Sequence, residues 1–120
     1  MPGESIAVGD QELLVAIADD PTERGVGLVA VEDLGALDGM LFVYDAEAPA
    51  TFFTLNMLIP LDVWWFDGDG VLIGTAEMDP CSFEPCVRYG SPGPVRWVLE
   101  TPLGDFEFEM GSMLSNVESG

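Results

Sequence analysis

Any chemistry in this 120-residue chain must be built largely from carboxylates. It carries 22 acidic residues against three arginines, with no lysine and no histidine. Ser–His and Cys–His nucleophile pairs both need an imidazole and are therefore excluded. What remains is a small polar set beside the most apolar runs. Asn56 and Asp62 stand on either side of the break at Ile59-Pro60-Leu61, and Glu100 follows the apolar pair Val98-Leu99. A carboxylate in such company is costly unless it is paired or hydrogen-bonded. Asn56, Asp62 and Glu100, with Arg24 or Arg96 as counter-charge and Phe53 as an aromatic wall, form the candidate ligand-binding set.

A plainer reading stands beside it. Asp62 could accept backbone donors freed by the Pro60 break, and Asn56 could bridge strands. Asp62 and Glu100 could instead act as an acid–base pair on a glycosidic bond. A chain with so many acids makes accidental pairs easy to find, so catalysis ranks behind binding. Arg96 and Glu100 share a strand face but lie roughly 13 Å apart along it, too far for a direct pair.

Cys81 and Cys86, in Pro80-Cys81-Ser82-Phe83-Glu84-Pro85-Cys86, read as a disulfide across a proline-rich loop. Their spacing is not that of a CxxC redox couple. Two thiolates without histidine do not complete a zinc site, so neither metal nor cofactor is expected. Asp67-Gly68-Asp69-Gly70 superficially resembles a calcium loop, but Val71 stands at its fifth position and no bidentate glutamate follows.

The elements that must position these residues are mostly strands. Glu4–Val8 and Gln11–Ala18 read as a hairpin around Gly9-Asp10. Asp19 to Glu23 reads as a helix start cut short by Gly25 and Gly27, and Glu32-Asp33-Leu34 as a further helical turn. Met40–Tyr44, Thr51–Leu58 and Val63–Phe66 are apolar strands, the second ended by Pro60, which lacks a donor. Asp67–Gly70 turns the chain into Val71–Met78. A long loop, Asp79–Pro94, precedes Val95–Thr101, in which Val95, Trp97 and Leu99 share a face. Phe106 to Met110 alternates apolar with acidic, as a strand does. Residues 111–120 form a polar tail with a short strand at Met113-Leu114. Two or more tryptophans belong in the core.

Seven to nine strands, frequent turn signals and one or two helical turns predict an all-β fold. The expected architecture is a β-barrel or jelly-roll-like sandwich, with residues 1–120 as a single domain. A hydrophobic share of 48% rules out a disordered acidic tail. The net charge of −19 repels phosphate backbones and anionic lipid, so nucleic acid is not an expected partner. The same acidity suits a salty medium, where screening removes self-repulsion, or a cationic partner. No apolar run approaches the ~18–20 residues of a membrane span, and Met1–Asp10 lacks the regions of a signal peptide.

The order of motifs adds a resemblance. Gly39-Met40-Leu41-Phe42, then Asn56 with Ile59-Pro60-Leu61-Asp62, then Asp67–Gly70 and Val98-Leu99-Glu100 resemble the bacterial and archaeal family called domain of unknown function 192, from about Gln11 to Glu100. The resemblance implies a β-barrel or jelly-roll-like domain, often exported, with no settled activity. The family's Phe-Trp-Met-Lys-Asn-Thr motif appears as Phe52-Phe53-Thr54-Leu55-Asn56-Met57, with Leu55 in place of the basic residue, and an arginine usual before Gly27-Leu28 is Val26. Together these observations predict an extracytoplasmic domain that binds a small molecule or sugar. A partner-binding domain with an acidic face and a carboxylate-dependent hydrolase are the alternatives.

Overall fold

The computed structural model describes residues 3–117 and is nearly all β. Strand β1 (Glu4–Val8) and strand β2 (Gln11–Ala18) form the expected hairpin, with Gly9 at φ 60° in its turn. Helix α1 (Pro21–Val26) begins where Asp20 accepts the Glu23 amide at 2.8 Å, and it ends at Gly27 with φ 51°. Residues 27–38 then cross the sheet without further helix, correcting the expected turn at Glu32-Asp33-Leu34. They lead into β3 (Gly39–Ala48), which lies parallel to β2.

The remaining strands are β4 (Thr51–Phe53), β5 (Leu61–Phe66), β6 (Leu72–Met78), β7 (Arg88–Gly90), β8 (Val95–Pro102) and β9 (Leu114–Ser115). Seven of them form one sheet in the order β6-β5-β8-β3-β2-β1-β9, and β4 pairs with β7 separately. The large sheet curls into a half-barrel. Its two edges are tied at one end by residues 111–114. Leu72 and Leu114 donate to Ser112 and Gly70 at 2.9 and 2.8 Å, while Gly9 donates to Met113 at 2.9 Å.

Each face of the sheet has its own core. One face gathers Ile6, Val8, Leu13, Val15, Leu41, Trp64, Phe66, Leu72 and Leu99 from the central strands and from both ends of the sheet. That convergence marks it as the concave side. The opposite, convex face carries Ala16, Met40, Phe42, Leu61, Val63, Trp65 and Val98, and the 27–38 crossover covers it with Leu28, Val29, Val31, Leu34 and Leu37. Phe52 in β4 packs onto this face, 5.1 Å from Phe42 and 5.6 Å from Trp65 between ring centroids. Gly39 is held small by packing: a Cβ there would run into the backbone carbonyl of Glu100 on the neighbouring strand.

Three sequence expectations are corrected. Thr51–Leu58 is a strand only as far as Phe53, because Asn56 takes a left-handed φ of 64° and turns the chain. Phe106 to Met110 makes no strand despite its alternation, because no described strand pairs with it, although Phe106 and Phe108 still lie on one side with their rings stacked at 5.8 Å. Val95 leaves the face of Trp97 and Leu99 for the convex core, where an irregularity between Val43 and Ala48 shifts its pairing. The long loop also contains an unexpected short strand, β7. Trp64 and Trp65 lie in the core as expected.

Candidate functional site: a cleft on the concave side

A cleft of about 710 Å³ opens between the start of β5, the end of β6 and the segment Leu103–Phe108. Asp62 and Trp64 from β5, Thr75 and Glu77 from β6, and Asp105 to Phe108 line it. Its placement follows from local chemistry. Pro60 has no amide to give, but its carbonyl is free, and Leu103 donates to it at 3.1 Å. The next amide, Gly104, donates to Asp62 Oδ2 at 2.9 Å. The turn is completed by Asp105 donating to the Pro102 carbonyl at 3.2 Å, with Gly104 at φ 82°. Two hydrogen bonds thus fasten the 102–105 turn to the strand that carries Asp62.

The apolar wall is equally fixed. Trp64 donates its indole N–H to Thr101 Oγ1 at 3.0 Å, both groups being buried, and Phe108 meets the Trp64 ring edge-on at 4.7 Å. Phe106, half-buried, stacks on Phe108. Asp62 is nine-tenths buried, at 7% exposure, and among the described residues Gly104 is the donor to its carboxylate. The residue itself lines the cleft.

The other candidate residues do not gather here. Glu100 pairs in register with Met40 and Val63, both convex-core residues, whereas Asp62 lies opposite Thr101 on the concave side. The two carboxylates therefore face opposite sides of the sheet and cannot act together on one glycosidic bond. Glu100 is fully buried, and among the described residues neither carboxyl oxygen has a hydrogen-bond partner. Burial pushes its pKa up to about 8. Arg24 and Glu100 approach a common neighbour, Tyr44: the guanidinium lies 5.0 Å over that ring and donates to the Val43 carbonyl at 2.8 Å. Burial raises the Tyr44 pKa, with Arg24 opposing and Glu100 adding to the effect.

Asn56 is exposed and uses its backbone, donating to Cys81 at 2.8 Å and accepting from Ala30 at 3.0 Å. Phe53 is exposed beneath Arg88, whose guanidinium sits 4.9 Å over its ring. Arg96 donates to the Tyr44 carbonyl at 3.3 Å and lies over Trp97. Cys81 and Cys86 form the expected disulfide. Of the candidates raised by the sequence, Asp62 lines this cleft; Glu77 and residues 103–108, which line it too, were not among them. The alternation Phe106-Glu107-Phe108 was the available signal, and strand periodicity claimed it.

Comparison with known proteins places these features in a family. Among curated proteins no relative matches. A candidate transcription regulator from Sinorhizobium meliloti has 26% identity and a TM-score of 0.81, covering 94% of this chain and 92% of its own. A protein of unknown function from Novosphingobium aromaticivorans shares the fold at 23% identity and a TM-score of 0.81, with 94% and 84% covered. The DUF192 profile, described as "Uncharacterized ACR", spans residues 4–115. With nearly its whole length matched, from β1 to β9, the chain belongs to the DUF192 family, domain of unknown function 192.

Proposed function

We propose that this protein is an extracytoplasmic small-ligand-binding module whose site is the concave cleft. The observation that carries the reading is the cleft's make-up. A volume of about 710 Å³ is that of a small-molecule site, and its lining sets carboxylates and Thr75 beside aromatic rings. Phe106, half-buried and stacked on the buried Phe108, supplies a ring face against which a sugar or other compact body can lie. Asp62, fastened by Gly104, supplies a hydrogen-bond acceptor that does not have to be ordered on binding. The disulfide supports an oxidising location. No helix among the described residues is long and apolar enough to cross a membrane.

A nucleic-acid role does not come over from the Sinorhizobium protein, because a surface of net charge −19 repels phosphate. A partner-binding reading has one observation of its own: Phe83 and Val87 are exposed in and beside the disulfide loop. NMR titration of the isotope-labelled protein separates the readings, with monosaccharides, disaccharides and amino sugars as probes. Saturable shifts confined to Trp64, Gly104 and residues 105–108 are the expected outcome. Unmoved resonances throughout that set would remove the cleft as a ligand site.

A further inference from the structure

On the convex face a carboxyl group is sealed among apolar side chains. Glu100 is fully buried, and among the described residues neither of its oxygens meets a donor. Its lateral neighbours in the sheet, Met40 and Val63, bring no polar side chain to it. From β3 the nearby titratable group is Tyr44, with Arg24 of α1 over its ring and held on the Val43 carbonyl. Arg96, earlier on β8, donates to the Tyr44 carbonyl. The crossover brings Glu32 and Asp33, both exposed, and Asp38, whose carboxylate accepts the Leu14 amide. The convex residues of β4 and β5, namely Phe52, Leu61, Val63 and Trp65, are apolar. No group in this set bonds to Glu100, so nothing there offsets the hydration that its ionised form would lose.

The cover over this face is held less firmly than the sheet. The 27–38 crossover contains neither helix nor strand. Its ends are tied: Gly27 donates to the Glu23 carbonyl at 2.9 Å, and Asp38 shares two hydrogen bonds with Leu14, at 2.7 and 2.8 Å. Between those ends the amides of Val29, Val31, Gly35 and Leu37 bond only to residues two or three positions earlier. Among the described residues, Ala30 donating to the Asn56 carbonyl at 3.0 Å is the backbone tie from the middle of the crossover to another element. The remaining hold is apolar, through Leu28, Val29, Val31, Leu34 and Leu37. Beneath it β8 is laddered on both sides, between β3 and β5. A segment with so few long-range hydrogen bonds opens at lower cost than a strand in mid-sheet.

We propose that the crossover is a pH-dependent cover: when Glu100 ionises, residues 29–37 leave the convex face and admit water to the carboxylate, while the sheet beneath stays folded. The proton passes to solvent, and hydration of the carboxylate offsets the apolar contact given up. The ties at Gly27 and Asp38 keep both ends in place, so the segment lifts as a strap. Burial pushes the Glu100 pKa up to about 8 while the cover is closed, against 4.5 for a hydrated carboxyl. The closed form is therefore favoured fully below pH 4.5 and loses ground as pH rises to about 8, with little change above. The device lies on the face opposite the cleft and is independent of any ligand there.

Amide hydrogen exchange on the full chain from pH 5 to pH 9, corrected for the intrinsic pH dependence of exchange, tests the proposal. Protection at Ala30 should fall about tenfold per pH unit up to pH 8 and then level off. The Leu99 amide in mid-sheet should stay on the order of a hundredfold more protected at every pH. Glu100→Gln keeps the size of the side chain and cannot ionise, so it should abolish the slope at Ala30. Glu32→Gln, which removes an exposed charge on the crossover itself, should keep the wild-type slope. Protection at Ala30 that does not vary with pH in the wild type would overturn the proposal. Equal protection of Ala30 and Leu99 would also overturn it, since the crossover would then open only with the whole fold. A slope that survives in Glu100→Gln would assign the titration to another group, with the same result.

Discussion

Asp62 and Glu100 occupy adjacent strands one register position apart, and the sheet treats them oppositely. Asp62, on the concave side, has a backbone donor fixed against it and an opening to solvent through the cleft. Glu100, on the convex side, lies between Met40 and Val63 under the crossover, with neither oxygen bonded among the described residues. The two carboxylates share their chemistry and differ in what covers them. A carboxylate beside a groove can stay charged and serve a ligand, whereas one sealed in an apolar core is driven to hold its proton. On the concave side the Asp62 carboxylate and the Trp64 indole are satisfied, although among the described residues the buried Trp97 indole N–H is not. On the convex side Glu100 stores an electrostatic cost.

The largest effect should therefore come from Glu100. Its folded pKa of about 8 stands above the 4.5 of the unfolded chain. Between those values the folded state holds a proton that the unfolded state has released, so stability falls as pH rises through the window and levels off above it. The accumulated cost is about 5 kcal/mol above pH 8, at about 1.4 kcal/mol per pH unit. Glu100→Leu removes the titrating group and should be more stable than wild type by several kcal/mol at pH 9, by less at pH 7 and by little beyond its packing change near pH 4.5. Urea denaturation at pH 4.5, 7 and 9 reads that difference. A stability gap that is the same at all three values would show that Glu100 does not hold a proton in the fold.

The concave side should respond with the opposite sign. Thr101→Val keeps the volume of the side chain and deletes the oxygen that receives the Trp64 indole N–H. A buried donor left without a partner costs about 1–3 kcal/mol. Loss of stability without pH dependence, measured by the same denaturation series, is the expected result. A neutral or stabilising substitution would mean that the two sides do not differ as described.

How much of this contrast the sequence carried depends on which interactions are local. The β1–β2 hairpin, the α1 start at Asp20-Pro21 and the disulfide were legible, because turn dipeptides, capping residues and cysteine spacing act over a few positions. Asp62 and Glu100 stood out as polar residues beside apolar runs. Their assignment to one site failed because face is decided by cross-strand register, here Asp62 opposite Thr101 and Glu100 opposite Val63. The cleft was hidden for a similar reason. Phe106-Glu107-Phe108 has the period of a strand, yet its rings are held by Trp64, more than forty positions earlier in the chain. Asn56 misled in the reverse direction, since its φ of 64° makes it a turn residue and its side chain stands in solvent.

The smallest stability effect, and the sharpest test of the cleft, belongs to Asp62. Asp62→Asn retains a side-chain oxygen able to accept from Gly104 and removes the charge. A hydrogen bond to a charged acceptor is stronger than one to a neutral acceptor by about 1 kcal/mol, so stability should fall by no more than about that amount. Asp62→Leu removes the acceptor altogether and frees the 102–105 turn, leaving the Leu103 bond to the Pro60 carbonyl as its remaining backbone tie to the start of β5. Amide hydrogen exchange at Gly104 distinguishes the two variants: protection should persist in Asp62→Asn and disappear in Asp62→Leu. If Gly104 exchanges at the rate of an open loop in the wild type, the turn is not fastened, and the cleft lacks the fixed acceptor that separates this carboxylate from Glu100.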